Sequence, residues 1–291
     1  MNEADLWQSL LAEVADGKAV FAPNVALVLK IRSALDAPDC HVDEAVRLLQ
    51  AEPVLAVRVV AAANSVLYNP YGREVADLRT AVSRMGFQAL RNLAMALVVR
   101  EMTHLPAGNP ARELSDRLWD YTVHVAALAR LLAREVTGVD GEGAAFAAIV
   151  HDLGGFYLLS RAAERPELLR ALTADGAEAQ VVFSLTLLRS LAVPEAALVA
   201  IEAFWAGSPA LPPSTLGDTL LLAAHLSPTP RPLCRLAGWQ HPDLPQSLER
   251  VISGEGQGEM LAAAGAEVHD LRARVADADD ELRAMMAVMQ Y

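Results

Sequence analysis

Adjacent His151 and Asp152, followed by Leu153-Gly154-Gly155, are the residues of this chain best suited to chemistry. Side by side near a helix end, an imidazole and a carboxylate can both reach one divalent cation, which would acidify a bound water and offset phosphate charge. Metal-dependent phosphohydrolysis is therefore the first chemistry to weigh. Two ligands do not hold a catalytic metal. His124, 27 residues earlier in the helical stretch Trp119 to Val136, is a candidate third ligand, and His225, in the helical stretch Leu216 to Leu226, is a candidate fourth. A second carboxylate is missing from this set. Three imidazoles and one carboxylate leave about +1 on a divalent ion, which suits zinc, iron or manganese and disfavours magnesium, with its preference for oxygen ligands. The alternative for His151 and Asp152 is a metal-free pair, Asp152 accepting from a ring N–H or capping the next helix. For His124 and His225 it is a satisfied core or groove histidine.

The elements that must position these residues are helices. Apolar residues recur at helical spacing almost throughout, and alternating runs rich in Val, Thr and aromatics are nearly absent, so the expected class is all-α. Aromatics make up 5% of the chain, which leaves Ala and Leu to fill closely packed helix contacts. His104 to Pro110 (HLPAGNP) breaks helices and predicts an N-terminal helical lobe over 1–110. A second helical lobe is expected over 111–235, punctuated at Gly138 to Gly141, Gly154-Gly155, Pro166, Pro194 and Pro209, and closed by Ser227 to Pro232 (SPTPRP). A linker and helical tail, 236–291, follow.

The tail carries Leu261, Ala264, Val268, Leu271, Val275, Ala278, Leu282, Met285 and Met289 in alternating steps of three and four. This heptad seam over 261–289 fits a parallel homodimer, in which Glu267 faces Arg272 and Arg274 faces Asp279 with opposite charge. An amphipathic helix lying on its own bundle accounts for the same pattern, and Ala264, Gly265 and Ala278 weaken a free-standing coil.

Composition excludes several classes. With 53% apolar residues in 291, the chain has ample material for a folded core. A formal net charge of −12 and basic residues spread singly, as at Arg79, Arg84, Arg91 and Arg100, argue against nucleic-acid binding. No apolar run approaches the length of a membrane span, and MNEADLW lacks the basic start of a signal peptide. Cys40 and Cys234 belong to no metal-spaced or CxxC set and read as reduced thiols. A cytoplasmic protein without membrane contact is expected.

Leu48-Leu49-Gln50-Ala51-Glu52-Pro53-Val54-Leu55, then Ala63-Asn64-Ser65-Val66-Leu67-Tyr68, Thr80-Ala81-Val82 and Met85-Gly86-Phe87 resemble, in order and spacing, the HD-related output domain (HDOD) family over about Phe21 to Leu226. Glu52 stands where the family usually has Asp, and Met85 where it has Leu. The resemblance implies a bacterial two-lobed helical signalling module with an HD-domain-like second lobe. It also implies kinship with the HD phosphohydrolases without their activity. HD enzymes hold metal with His, a His-Asp pair and a final Asp, which map to His124, His151, Asp152 and, in place of the last Asp, His225. In HD-GYP relatives further histidines would fall at Gln180 and at Ala203-Phe204-Trp205, and a Gly-Tyr-Pro element would follow His-Asp; this chain has neither. A second metal and cyclic dinucleotide hydrolysis are therefore not expected. Asn64 is expected to cap a helix end or turn.

Three functions remain in view. The first is a non-catalytic regulator acting through a signalling protein partner, with no cofactor. The second is a single-metal phosphohydrolase acting on a nucleotide or phosphate monoester with Zn, Fe or Mn at His124, His151, Asp152 and His225. The third is a small-molecule or nucleotide sensor without turnover.

Overall fold

The computed structural model describes residues 3–19, 21, 23–37, 39–173, 177–207, 213–229, 231–233 and 279–290. Every regular element among them is helical, as the periodicity requires. They fall into two units, one drawn from Met1–Val20 and Thr103–Asp277, the other from Phe21–Met102 and Ala278–Tyr291. The expected lobe 1–110 is thus divided: α1 (Glu3–Ala15) belongs with the later helices. The reason is packing, since buried Trp7 of α1 meets Phe183 with ring centroids 6.1 Å apart, and Glu13 pairs with Arg165 at 3.2 Å.

The smaller unit is built from α2 (Pro23–Leu35), α3 (Val42–Gln50), α4 (Pro53–Ala63), α5 (Leu78–Thr103) and a last helix, Asp279–Gln290. α3 starts with Asp43 and Glu44, charges that suit the positive helix end, and buries Ala45 and Leu49 one turn apart. Glu52-Pro53 is a helix start. Proline occupies the first turn, where its missing N–H costs nothing, and the Glu52 carboxylate accepts from Val54 N–H at 3.2 Å.

At the other end of α4, Asn64 does what the sequence suggested and more. Its amide donates to Val60 O at 3.1 Å and Val75 O at 2.7 Å and accepts from Val75 N–H at 2.8 Å. One side chain thus ends the helix and clasps the loop that follows. Arg84 fastens the same loop, donating to Ala63 O and Arg73 O. Gly86 breaks the helical path of α5 with φ 77°, a conformation that glycine adopts without strain. Beyond it, residues 92–99 are buried without interruption. The last helix packs on α4 within this unit. Residues 261–278 of the heptad seam lie outside the described residues.

In the larger unit α6 (Arg112–Leu132) is the central rod. Its charged Arg112, Glu113, Asp116, Arg117 and Asp120 face solvent while Leu118, Trp119, Tyr121 and Val125 are buried. It ends in a π turn, Ala133–Thr137, and left-handed Gly138. Asp140 then caps α7 (Gly141–Val150), accepting from Gly143 N–H at 2.7 Å. α8 (Leu153–Arg161), α9 (Glu167–Thr173), α10 (Ala177–Ser190), α11 (Glu195–Ala206) and α12 (Leu216–Leu226) complete it, the last opened by a reciprocal Thr215–Asp218 capping box. α6 packs on α7 and α12, α11 on α12 and α7, and α10 on α8 and α1.

Gly141–Arg161, which joins α7 and α8, is long and apolar enough by composition to cross a membrane. Its most apolar window is 89% buried inside the protein, so it is core. Cys40 is a free thiol, and Cys234 lies outside the described residues.

Candidate functional site

His151 and Asp152 are the two residues between α7 and α8. His151 closes the first helix and Asp152 opens the second. Asp152 makes no side-chain cap, and its carboxylate turns inward instead. Both side chains are buried, at 0% and 1% exposure. Two glycines allow this depth. A Cβ on Gly154 would lie 2.1 Å from Ser184 Oγ and 2.9 Å from its Cα, so α8 and α10 touch almost backbone to backbone. A Cβ on Gly155 would lie 2.6 Å from Leu233 Cδ1, and that notch seats the chain segment after α12.

His151 Nδ1 is 2.5 Å from Ala148 O. A carbonyl only accepts, so Nδ1 carries a proton and donates it, while Nε2 faces Asp152. Nε2 lies 3.1 Å from Asp152 Oδ2 without an aligned hydrogen bond. Tyr121 and Phe204 pack on the ring at centroid distances of 5.7 and 5.2 Å. His124 likewise donates from Nδ1, which lies 2.7 Å from Asp120 O and 3.5 Å from Thr229 Oγ1. His225 lies on α12, but its side chain is outside the described residues.

The partner of Asp152 is a residue that the sequence reading did not single out. Arg231 Nε donates to Oδ2 at 3.1 Å and Nη2 donates to Oδ1, a two-pronged grip on the whole carboxylate. Its guanidinium lies over Trp205, 4.1 Å from the ring centroid, with Phe204 at 5.7 Å. Burial pushes the Asp152 carboxyl up, but the Arg231 charge, the neighbouring His151 and the Arg231 hydrogen bonds outweigh it. The group therefore ionises well below the usual carboxylate range. The aromatics that hold the guanidinium stand where the resemblance would place extra histidines, and Gln180, the other such position, is buried on α10.

Arg231 lies beyond the end of α12, directly before the helical residues Pro232 and Leu233. Ser227 Oγ donates to Thr229 O at 3.0 Å, and Leu233 fills the Gly155 notch. The prolines of SPTPRP signalled only the end of α12. No local pattern announces a salt bridge 79 residues apart.

The HD-type metal meets a mixed fit. Ligands about 2.0–2.2 Å from a shared ion stand roughly 3.0–3.5 Å apart. His151 Nε2 and Asp152 Oδ2, at 3.1 Å, match that bite. Against it, both carboxylate oxygens accept from a guanidinium, and no three His, Cys, Asp or Glu side chains among the described residues form a metal-holding group. With Arg231 docked, the residues do not fit the ion. As it stands, the arrangement balances one buried negative charge with one largely buried positive charge.

The family model for the HDOD domain matches residues 22–208. The chain belongs to the HDOD domain family. The motifs at Glu52-Pro53, Asn64-Ser65 and Gly86 are thus those of an HDOD protein, and their roles above are helix start, loop clasp and helix break. No curated protein shows a significant match. Among solved structures, a Shewanella amazonensis SB2B protein provisionally named a metal-dependent phosphohydrolase aligns over 99% of both chains at 18% identity and TM-score 0.68. An HDOD domain protein of unknown function from Geobacter sulfurreducens aligns over 98% of both at 19% identity and TM-score 0.57. A provisionally named signal transduction protein from Marinobacter aquaeolei VT8 aligns over 99% of this chain and 66% of its own at 19% identity and TM-score 0.61. At such identities these likenesses establish the shared all-helical fold.

Proposed function

We propose that this HDOD protein is a non-catalytic bacterial regulator that works in the cytoplasm by binding a signalling protein partner. The observation that carries this reading is the Arg231 grip on Asp152. The carboxylate that a hydrolytic metal would need is buried, ionised and already matched in charge. Membership of the HDOD family and likeness to a protein named for signal transduction support the regulatory role. The tail seam over 261–289 supports self-association as a second mode of contact.

One observation favours a second reading, a single-metal phosphohydrolase: the 3.1 Å bite of His151 and Asp152 would suit one Zn, Fe or Mn ion. A hydrolysis screen separates the two. Tag-free protein supplied with Mn2+, Fe2+ or Zn2+ is assayed on p-nitrophenyl phosphate, its bis-ester, nucleotides and cyclic dinucleotides. The regulator reading expects no turnover above the blank. Turnover abolished by His151→Ala would establish the enzyme instead. For the partner itself, proteins captured on the full-length chain are purified and titrated back. Saturable one-to-one binding is the expected result, and failure of every captured protein to bind on its own would count against the reading.

A further inference from the structure

α4 is apolar on both sides. Leu55, Val59, Ala62 and Ala63 are buried in the smaller unit, as one face of a packed helix must be. The opposite side should then be polar, yet Val54, Val57 and Ala61, at positions i, i+3 and i+7, form a second stripe that faces outward. Val54 is 51% exposed and Val57 70%. The pattern continues past the helix end with Val66 at 68% and Tyr71 at 90%. Among the described residues seven large apolar side chains are exposed, and these four fall within eighteen residues of sequence. Such a concentration marks a contact surface rather than scattered surface apolars.

The loop that carries Val66 and Tyr71 is held in place. Asn64 exchanges hydrogen bonds with both backbone groups of buried Val75, and Arg84 donates to the carbonyls of Ala63 and Arg73. A projecting aromatic on a pre-set backbone has less order left to lose on binding. Charge and shape narrow what would bind. Arg58, the one charged residue of α4, stands three residues from Ala61 and four from Val54, and so borders the stripe. Arg100 and Glu101 of α5 act on it electrostatically, and the three together sum to +1. Residues 21–102 carry nine Lys and Arg against eight Asp and Glu, a net +1 in a chain of −12, so this stretch repels an anion least. Val and Ala make a low ridge over about 10 Å, which lets a second helix axis approach closely. α4 already accepts one helix, Asp279–Gln290, whose sequence starts Asp279-Asp280-Glu281, and Val57 stays exposed with that helix in place.

We propose that the outer stripe of α4, with Val66 and Tyr71, is the docking face for an amphipathic helix of a protein partner, one that carries acidic residues beside its apolar stripe. The inference rests on the partner-binding reading and gives it a surface and a ligand chemistry. The apolar side of the incoming helix covers Val54, Val57 and Ala61, and its carboxylates meet Arg58. One excess positive charge is too few for a membrane surface, which takes a cluster of basic residues.

Two helical peptides with the same Leu/Ala stripe, one flanked by Glu and the other by Lys, serve as probes and are titrated into the full-length chain by fluorescence anisotropy. The Glu peptide is expected to bind one to one and about tenfold or more tighter than the Lys peptide. Val57→Asp should weaken it about tenfold or more, as should the uncharged pair Val57→Ser with Tyr71→Ser, which decides the matter if Val57→Asp does not fold. Val182→Asp on α10, where the valine is as exposed as Val54, should change nothing. No binding of the Glu peptide, equal binding by the folded Val57 variants, or a Lys peptide that binds as tightly overturns the face. So does Val57-dependent binding to phosphatidylcholine–phosphatidylserine vesicles without peptide binding, which would make it a membrane surface. A captured partner that binds Val57→Asp as tightly as wild type also overturns it and leaves the regulator reading intact. Failure of every captured protein to bind sinks that reading, and the peptides still decide the face.

Discussion

Arg231 and Asp152 form a pair in which neither charge has water to fall back on, with side chains 8% and 1% exposed. Removing one partner of a buried ion pair leaves the other uncompensated and typically costs about 3–5 kcal/mol. Arg231→Met and Asp152→Leu should therefore each destabilise strongly. The double variant should lose clearly less than the sum, as read from chemical denaturation of all four proteins in a double-mutant cycle. Additive losses would mean that the two side chains do not act as a pair. The depressed ionisation of Asp152 fixes the pH dependence. A carboxyl that ionises lower in the folded than in the unfolded state contributes fully above the unfolded value, near 4, and loses that contribution as pH falls toward the folded value. The stability gap between wild type and Asp152→Asn should be flat from pH 7 to about 5 and shrink only in stronger acid. A gap that closes between pH 7 and 5 would contradict the assigned pairing. The chemistry of His151 and Asp152 was legible in the sequence because two ligand types stand side by side. Arg231 was not, because its meaning comes from a contact across 79 residues and from the face of Trp205.

Elements were the most legible level, because helix starts and stops are local chemistry. Glu52-Pro53 opens α4, Asn64 closes it, Asp140 and Thr215 cap α7 and α12, and α5 ends at Thr103, one residue before the breaker-rich segment at 104–110. What the pattern could not show is why glycine follows the His-Asp pair. Gly154-Gly155 looked like a turn signal, yet both residues are helical, and they are small because Ser184 and Leu233 press on them. Gly154→Ala would drive a methyl into Ser184, including its backbone, so overpacking of about 1–3 kcal/mol is expected, read as a lower denaturation midpoint. Its effect should exceed that of Gly138→Ala, where only positive φ and no neighbouring atom opposes the methyl. Equal losses at the two sites would mean that α8 and α10 are not in the tight contact described.

At the scale of the whole molecule, the two units do not follow the sequence boundaries. A Pro/Gly break near 104–110 was visible, but the membership of α1 depends on Trp7 meeting Phe183, which no window of sequence contains. The tail left two readings open, and its last helix, Asp279–Gln290, packs on α4 of the same chain. The dimer proposal therefore leans on 261–278. Truncation after Pro245 should halve the mass in solution if that seam joins two copies, and an unchanged mass by light scattering would remove the dimer.

The central claim is that the cation serving Asp152 is supplied by the chain itself. Metal content of tag-free wild type, by mass spectrometry beside His151→Ala and Asp152→Ala, tests it most directly. The account predicts far less than one transition-metal ion per chain, unchanged in both variants. One tightly held ion, lost in each variant, would contradict it.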